Sequence, residues 1–272
     1  MPPAPAPLVY LTGASSGIGQ ALAAHYARQG WRLALVARRT EVLAQWAQAQ
    51  GLGPQRCQVY GADVGDVSAI VAAGHDCLAR QGLPDVVIAC AGISVGMDTG
   101  ERDDLEVMQE TLAVNVTGVA ATFHPFLAAL RAQGRTRGGR RGGTLVGVAS
   151  VAAIRGLPGH GAYCASKAGV VAYLESLRGE CRADGVRVVT LLPGYIDTPL
   201  TARNPYPMPF LMAPEAFAAS AARAIARGES YRVIPWPMAV VAKLLRLLPN
   251  RLFDRVFAGR GRKPRRPRSG QA

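Results

Sequence analysis

The chain has 272 residues, 49% hydrophobic and 18% charged, enough apolar material for one large domain with a sizeable core and too much for an intrinsically disordered polypeptide. Its formal net charge of +13 is concentrated: residues 131–141 hold five Arg and residues 255–268 hold seven Arg or Lys, neither with an acid, and without those twelve the remainder carries +1. This argues against a DNA-binding fold as a whole, and the five cysteines, odd in number and never spaced CxxC, argue against a disulfide framework and for a reduced, cytoplasmic compartment.

Short runs rich in Val, Leu and Ile alternate with longer segments of helical period, the pattern of a parallel sheet wrapped by helices. Met1–Pro7 is Pro/Ala-rich, without the charged region or apolar run of a secretory leader. The first strand, expected at Leu8–Thr12, runs into Gly13, Ala14, Ser15, Ser16, Gly17, Ile18 and Gly19, and a helix over 17–29 follows. Glycines at 13, 17 and 19 let the main chain approach a pyrophosphate, whose charge would sit among the unpaired N–H groups of the helix N-terminus. The second strand, Arg32–Ala37, ends on Arg38 and Arg39, and no acid occupies 36–40. Guanidinium groups complement a 2′-phosphate where a carboxylate would accept from a free 2′-hydroxyl, so NADP(H) is expected in preference to NAD(H).

A helix over 40–50, a third strand at Gln55–Gly61, a helix over 66–81 and a fourth strand at Asp85–Cys90 come next. A long helix over 103–133 carries Asn115, and the Gly/Arg-rich stretch 134–143 reads as a surface insertion before the fifth strand, Thr144–Ala149. Ser150 closes that strand. On a helix over 162–183, Tyr163 and Lys167 stand one turn apart on one face. There an ammonium would stabilise phenolate and draw the phenol toward proton exchange near neutrality, while Cys164 points off that face and reads as packing. A sixth strand at Val186–Leu192, a helix over 214–228 and a seventh strand at Tyr231–Pro235 complete an α/β, doubly wound parallel sheet of about seven strands. His25, His75, His124 and His160 stand apart from one another and from the cysteines, so no metal site is expected, and no run of 18 uninterrupted apolar residues predicts an ordinary transmembrane helix.

Taken in order, TGASSGIG at 12–19, Asp63-Val64 after the third strand, CAG at 90–92, Asn115, Ser150, YCASK at 163–167 and PGYIDTP at 193–199 resemble the short-chain dehydrogenase/reductase family over residues 7–235. The resemblance implies a Rossmann fold and an oxidoreductase interconverting a carbonyl and an alcohol. By it, Tyr163 would be the general acid that protonates a carbonyl oxygen, or the base in the reverse direction. Lys167 would lower its pKa and hold the nicotinamide ribose, Ser150 would hydrogen-bond the substrate oxygen, and Asn115 would position a proton-relay water. Asp63 and Val64 would meet the adenine, Cys90, Ala91 and Gly92 would offer main-chain contact, and Pro193, Gly194, Ile196 and Thr198 would line the nicotinamide pocket. Where the family has Asn-Asn-Ala-Gly, this chain has Ala89-Cys90-Ala91-Gly92, so the hydrogen bonds of the first two side chains are missing. A homo-oligomer is also implied. The rival reading is a cofactor-binding redox sensor or membrane-associated scaffold with little turnover, against which stand the four intact positions Asn115, Ser150, Tyr163 and Lys167.

Tyr195–Pro214, with Pro199, Pro205, Pro207 and Pro209 among Tyr206, Met208, Phe210, Leu211 and Met212, resembles the family's substrate lid. Its fixed charges are Asp197 and Arg203, which favours as small-molecule substrate an apolar carbonyl or alcohol, such as a lipid-like, steroid-like or aromatic ketone or aldehyde, over a sugar phosphate. The catalytic domain is expected over 1–236, two amphipathic helices broken at Pro249 over 237–258, and a basic mobile tail over 259–272. Two readings of those helices stay open. An apolar face beside clustered Arg suits an anionic membrane surface, on the cytoplasmic side, or the helices cap the substrate pocket or a subunit interface. Specific nucleic-acid recognition is not expected, because the tail lacks interleaved aromatics.

Overall fold

The computed structural model describes residues 5–136, 142–202, 204–259 and 262–266. Residues 137–141 of the Gly/Arg stretch, Arg203 and the tail beyond 266 lie outside the described residues, and with them the expectations placed there. Seven parallel strands form one sheet in the order β3-β2-β1-β4-β5-β6-β7. They are β1 (Leu8–Thr12), β2 (Arg32–Ala37), β3 (Cys57–Gly61), β4 (Val86–Ala89), β5 (Thr144–Val148), β6 (Arg187–Pro193) and β7 (Tyr231–Ile234). β3 starts two residues later than expected because Arg56 and Cys57 donate their N–H groups back to the Gly53 carbonyl, closing a turn first.

Strands covered on both faces need apolar side chains pointing both ways. In β1, Leu8 and Tyr10 enter the layer of α3 (Val67–Gln81), α5 (Gly118–Thr136) and α6 (Gly161–Cys181), with Ile70, Phe126 and Leu174. Val9 and Leu11 enter the opposite layer of α1 (Gly17–Arg28), α2 (Thr40–Ala49) and α7 (Pro214–Arg227), with Leu22, Leu43 and Phe217. The strand order turns back at β1, which lies between β2 and β4. Crossovers leave the sheet on opposite sides there and open a crevice beyond the strand ends, where open α/β sheets bind ligands.

The long helix expected over 103–133 is interrupted. α4 (Asp104–Leu112) passes into a π-helical turn, Ala113–Thr117, before α5 begins, and such turns concentrate at functional sites. The span Asp104–Thr136 is long and apolar enough to cross a membrane by composition, but Val119, Phe123, Phe126 and Leu130 are buried in the core.

After β7 come α8 (Trp236–Leu247) and α9 (Asn250–Phe257), broken at Pro249 as expected. Arg155 holds them from below, donating to the Leu245 and Leu248 carbonyls, bonding Asn250 Oδ1 at 2.8 Å, and lying 3.9 Å from the centre of the Phe253 ring. Within the tail, the described residues 262–266 lie against the loop after β4 and the start of α4. The Gly96 N–H donates to the Pro264 carbonyl at 3.0 Å, Arg265 bridges to Gly96 in parallel, and Arg265 Nε donates to Asp104 Oδ2 at 2.6 Å. Asp104 is buried, and a carboxylate taken out of water is costly unless paired. That pairing turns 262–266 into a strap across the body.

Candidate active site

The turn after β1 is shaped by what it must approach. Gly13 has φ 70°, and a Cβ there would lie 2.7 Å from the Ala91 Cα. A Cβ at Gly19 would run into the Gly13 carbonyl oxygen. Both positions therefore require glycine for packing of the chain on itself. Ser16 precedes α1 without capping it through its side chain, and no acid occupies the first turn. The amides of that turn are left for an outside acceptor at the positive end of the helix dipole.

They open on a cleft of about 820 Å³ that runs along the strand ends. Gly13, Ser15, Ser16, Gly17, Ile18, Gly19, Arg38, Arg39, Asp63, Val64, Cys90, Ala91, Gly92, Ser150, Tyr163, Lys167, Pro193, Gly194, Ile196 and Thr198 all line it. Uncapped helical amides at one place, two guanidinium groups on the rim and an extended floor fit a dinucleotide. Arg38 and Asp63, read from the sequence as serving separate ends of the adenosine, are paired at 3.7 Å, both well exposed. An exposed pair of this length is worth about 0–1 kcal/mol, so it presents the guanidinium at the rim without locking it there.

Asn115 is the one expected site residue that does not line the cleft. Its buried side chain accepts from the Ile93 N–H at 2.8 Å and donates to the Ile93 carbonyl and Ser166 Oγ, both at 2.9 Å. Ser166 Oγ in turn donates to the Tyr163 carbonyl at 2.8 Å. The side chain thus ties the loop after β4 to the turn of α6 that carries Tyr163. Sequence reasoning missed a second tie: Thr12 Oγ1 accepts from the N–H groups of Cys90 and Ala91 at 3.2 and 3.4 Å. It anchors the segment in which two asparagines are replaced.

Ser150, Tyr163 and Lys167 converge, but not with the electrostatics expected. The spacing predicts a phenol acidified by the ammonium. Instead burial pushes the Tyr163 phenol above its ordinary value of 10.0, opposed by its hydrogen bond with Ser150. Burial also drives Lys167 down to about 8. Its Nζ donates to the Val148 carbonyl at 2.8 Å and lies 5.8 Å from the centre of the Tyr163 ring. Desolvation is the largest cause at both groups, opposed at Tyr163 by the hydrogen bond with Ser150 and at Lys167 by the nearby Cys90 thiol.

A second, mostly apolar cavity of about 190 Å³ adjoins the cleft, and Ser150 and Tyr163 line both. Its walls include Val151, Ile154, Leu157 and Tyr195, with Met238, Val241 and Leu245 of α8, Phe257 of α9 and Lys263 of the strap. The inner faces of the C-terminal helices therefore cap the pocket, one of the alternatives left open by the sequence. Among the lid side chains, Tyr206 lines the cavity, whereas Phe210 and Leu211 are exposed and Met212 packs on the sheet core. The lid's apolar content is thus shared between pocket, solvent and core. His160 was not singled out by sequence. It is buried, its ring bonds Tyr206 Oη at 3.0 Å and the Pro158 carbonyl at 3.0 Å, and burial holds its pKa below 6.5. It pins the lid to the helix that carries Tyr163, three residues before it, a spacing that could have signalled the contact. Among the described residues no cluster of His, Cys, Asp and Glu could hold a metal ion.

Residues 7–206 match the family described as short chain dehydrogenase. An uncharacterized oxidoreductase of Myxococcus xanthus is 38% identical over 247 residues, 90% of this chain and 93% of that protein. In three dimensions the chain is similar to an alcohol dehydrogenase from the archaeon Thermococcus sibiricus, complexed with 5-hydroxy-NADP, at 28% identity and a TM-score of 0.71. The match covers 85% of this chain and 96% of that one. It is also similar to a 3-ketoacyl-(acyl-carrier-protein) reductase from Brucella melitensis, complexed with NADH, at 26% identity and a TM-score of 0.73. That match covers 84% and 96%.

Proposed function

The chain belongs to the short chain dehydrogenase family of oxidoreductases, and from that premise we propose that it is an NADP(H)-dependent enzyme interconverting a carbonyl and an alcohol on an apolar substrate. One observation carries the reading. Ser150 and Tyr163 line both the long cleft and the smaller cavity, so a hydroxyl pair stands where a dinucleotide in one and a substrate in the other would meet.

The nicotinamide would supply the hydride, and the chain supplies placement and the proton. The open amides before α1 would hold the pyrophosphate, and Lys167, on the cleft floor beside Gly92, would bond the nicotinamide ribose. Ser150 would donate to the substrate oxygen and stabilise charge as it develops. Tyr163, whose phenol burial keeps protonated at neutral pH, would give its proton to the carbonyl oxygen in reduction and take one back in the reverse direction. Apolar walls exclude water from the transfer.

Solved relatives carry both kinds of nicotinamide cofactor, so the preference is argued from Arg38 and Arg39. A charge-assisted bond to a 2′-phosphate contributes about 1.5–3 kcal/mol. Arg38→Ser should therefore weaken NADPH binding by about ten- to a hundredfold and leave NADH binding within about threefold, measured by calorimetric titration with each. Serine is preferred to aspartate because a carboxylate at 38 would face Asp63. Equal affinities of the parent protein for the two cofactors would refute the preference.

The function itself is tested by NADPH consumption over ketones and aldehydes graded in size and polarity. Small apolar carbonyls that fit about 190 Å³ are expected to turn over and sugar phosphates are not. No oxidation of NADPH by any carbonyl, and no reduction of NADP by any alcohol, would overturn the proposal.

A further inference from the structure

We propose that the outward faces of α8 and α9 are a docking surface for an anionic lipid bilayer. The inward faces are committed, since Met238, Ala242 and Phe253 are buried and Val241, Leu245 and Phe257 line the cavity. The outward faces are apolar and uncovered: Trp236 is 69%, Leu244 63% and Leu247 75% exposed. With Val240 they fall on one stripe of α8, at spacings of four, four and three residues. On α9, Leu252 and Val256 are exposed one turn apart. Isolated apolar residues on a surface need no explanation, but a contiguous patch marks an interaction site.

Charge selects the occupant. Lys243, Arg246, Arg251 and Arg255 border these stripes, and over 236–258 the only acid is Asp254. On α9, Arg251 and Arg255 repeat one turn apart beside Leu252 and Val256. An apolar stripe edged by cations, with a tryptophan at one end, is matched by acyl chains below anionic headgroups. A second copy of the chain is a poorer match. A two-fold contact through this patch would set like charges against one another with one acid per copy to offset them. Length excludes spanning: at 12 residues α8 extends about 18 Å, well short of the roughly 30 Å hydrocarbon layer. The helices would lie in the interface plane, the same α8 walling the pocket with one face and resting on lipid with the other. The surface stands apart from the cleft, and the inference does not rest on the reaction proposed there.

Vesicle flotation of the full chain tests it, with phosphatidylcholine vesicles and with vesicles that also contain phosphatidylglycerol. The protein should float with the anionic vesicles, less so at high salt, and little with phosphatidylcholine alone. Leu244→Glu with Leu247→Glu, both outside the pocket lining, should lower the bound fraction at least about tenfold. That variant should keep the circular dichroism spectrum and its turnover of a water-soluble ketone. Arg251→Glu with Arg255→Glu should remove the preference for anionic vesicles. Failure to float, equal binding to both vesicle types, or binding unchanged in the leucine variant would overturn the proposal. So would sedimentation showing a dimer that the leucine variant dissociates, since the face would then be a subunit contact.

Discussion

Tyr163→Phe is expected to preserve the fold and NADPH binding and to cut carbonyl reduction by at least about a hundredfold, the lower end of what a positioned general acid contributes. The substitution removes one oxygen and leaves the ring, so the packing of this half-buried side chain is retained. What is lost is the proton at the junction of the two cavities, since Tyr195 and Tyr206, the other phenols that line the smaller one, do not line the cleft. Ser150 and His160 remain there, but the His160 ring is already bonded to Tyr206 and to the Pro158 carbonyl. The direction of the Tyr163 shift also fixes the pH profile. A phenol whose pKa lies above 10.0 stays protonated through neutrality, so reduction should not decline through Tyr163 ionisation below that value. Stopped-flow NADPH oxidation and fluorescence titration of NADPH binding separate the two readouts. Turnover close to that of the parent protein would remove Tyr163 from the chemistry.

Lys167→Met carries the second large effect: a fall in turnover on the order of a hundredfold, with weaker dinucleotide binding, and without a loss of stability at neutral pH. Lys167 is buried, and its amine is held near 8 instead of 10.5 by desolvation. The sign follows from proton counting. Between about 8 and 10.5 the unfolded chain binds a proton at this residue that the folded chain has released, so the native state gains stability as pH rises through that window. Below about 8 both states carry the charge, and the full cost of burying it is present. Methionine removes the charge, and with it both the cost and that pH dependence, although the Val148 carbonyl loses its donor at 2.8 Å. Thermal melts of parent and variant from pH 7 to 10 should therefore converge as pH rises. Parallel curves would mean that the lysine is not desolvated as the structure shows.

The order of strands and helices was legible because both-sided burial leaves a mark on sequence. Leu8 to Leu11 are all apolar since each faces one of two covered layers. The turn at Gly13 and Gly19 was legible because no other residue fits where the chain meets itself. The Tyr163–Lys167 spacing was legible too, but not the sign of the phenol shift, which depends on how completely the surroundings exclude water from both groups. Contacts between distant positions left no local signal. Arg265 reaches Asp104 across 161 residues, and basic composition alone reads such a segment as solvated. Phe210 and Leu211 show the converse, because lid residues of one chemical type went to solvent while Tyr206 went to the pocket. The π-helical turn around Asn115 was invisible for a related reason: Val114, Asn115, Val116 and Thr117 are weak helix formers, but propensity does not say which hydrogen-bond register a helix adopts.

The small cavity is built from two stretches of chain with different obligations. Ser150 follows β5 and Tyr163 stands on α6, while Tyr206, Met238, Val241, Leu245, Phe257 and Lys263 come from residues after the end of β6. Substitutions at Met238, Val241, Leu245 or Phe257, which line the small cavity and not the cleft, are expected to alter which molecule is admitted while leaving Ser150 and Tyr163 in place.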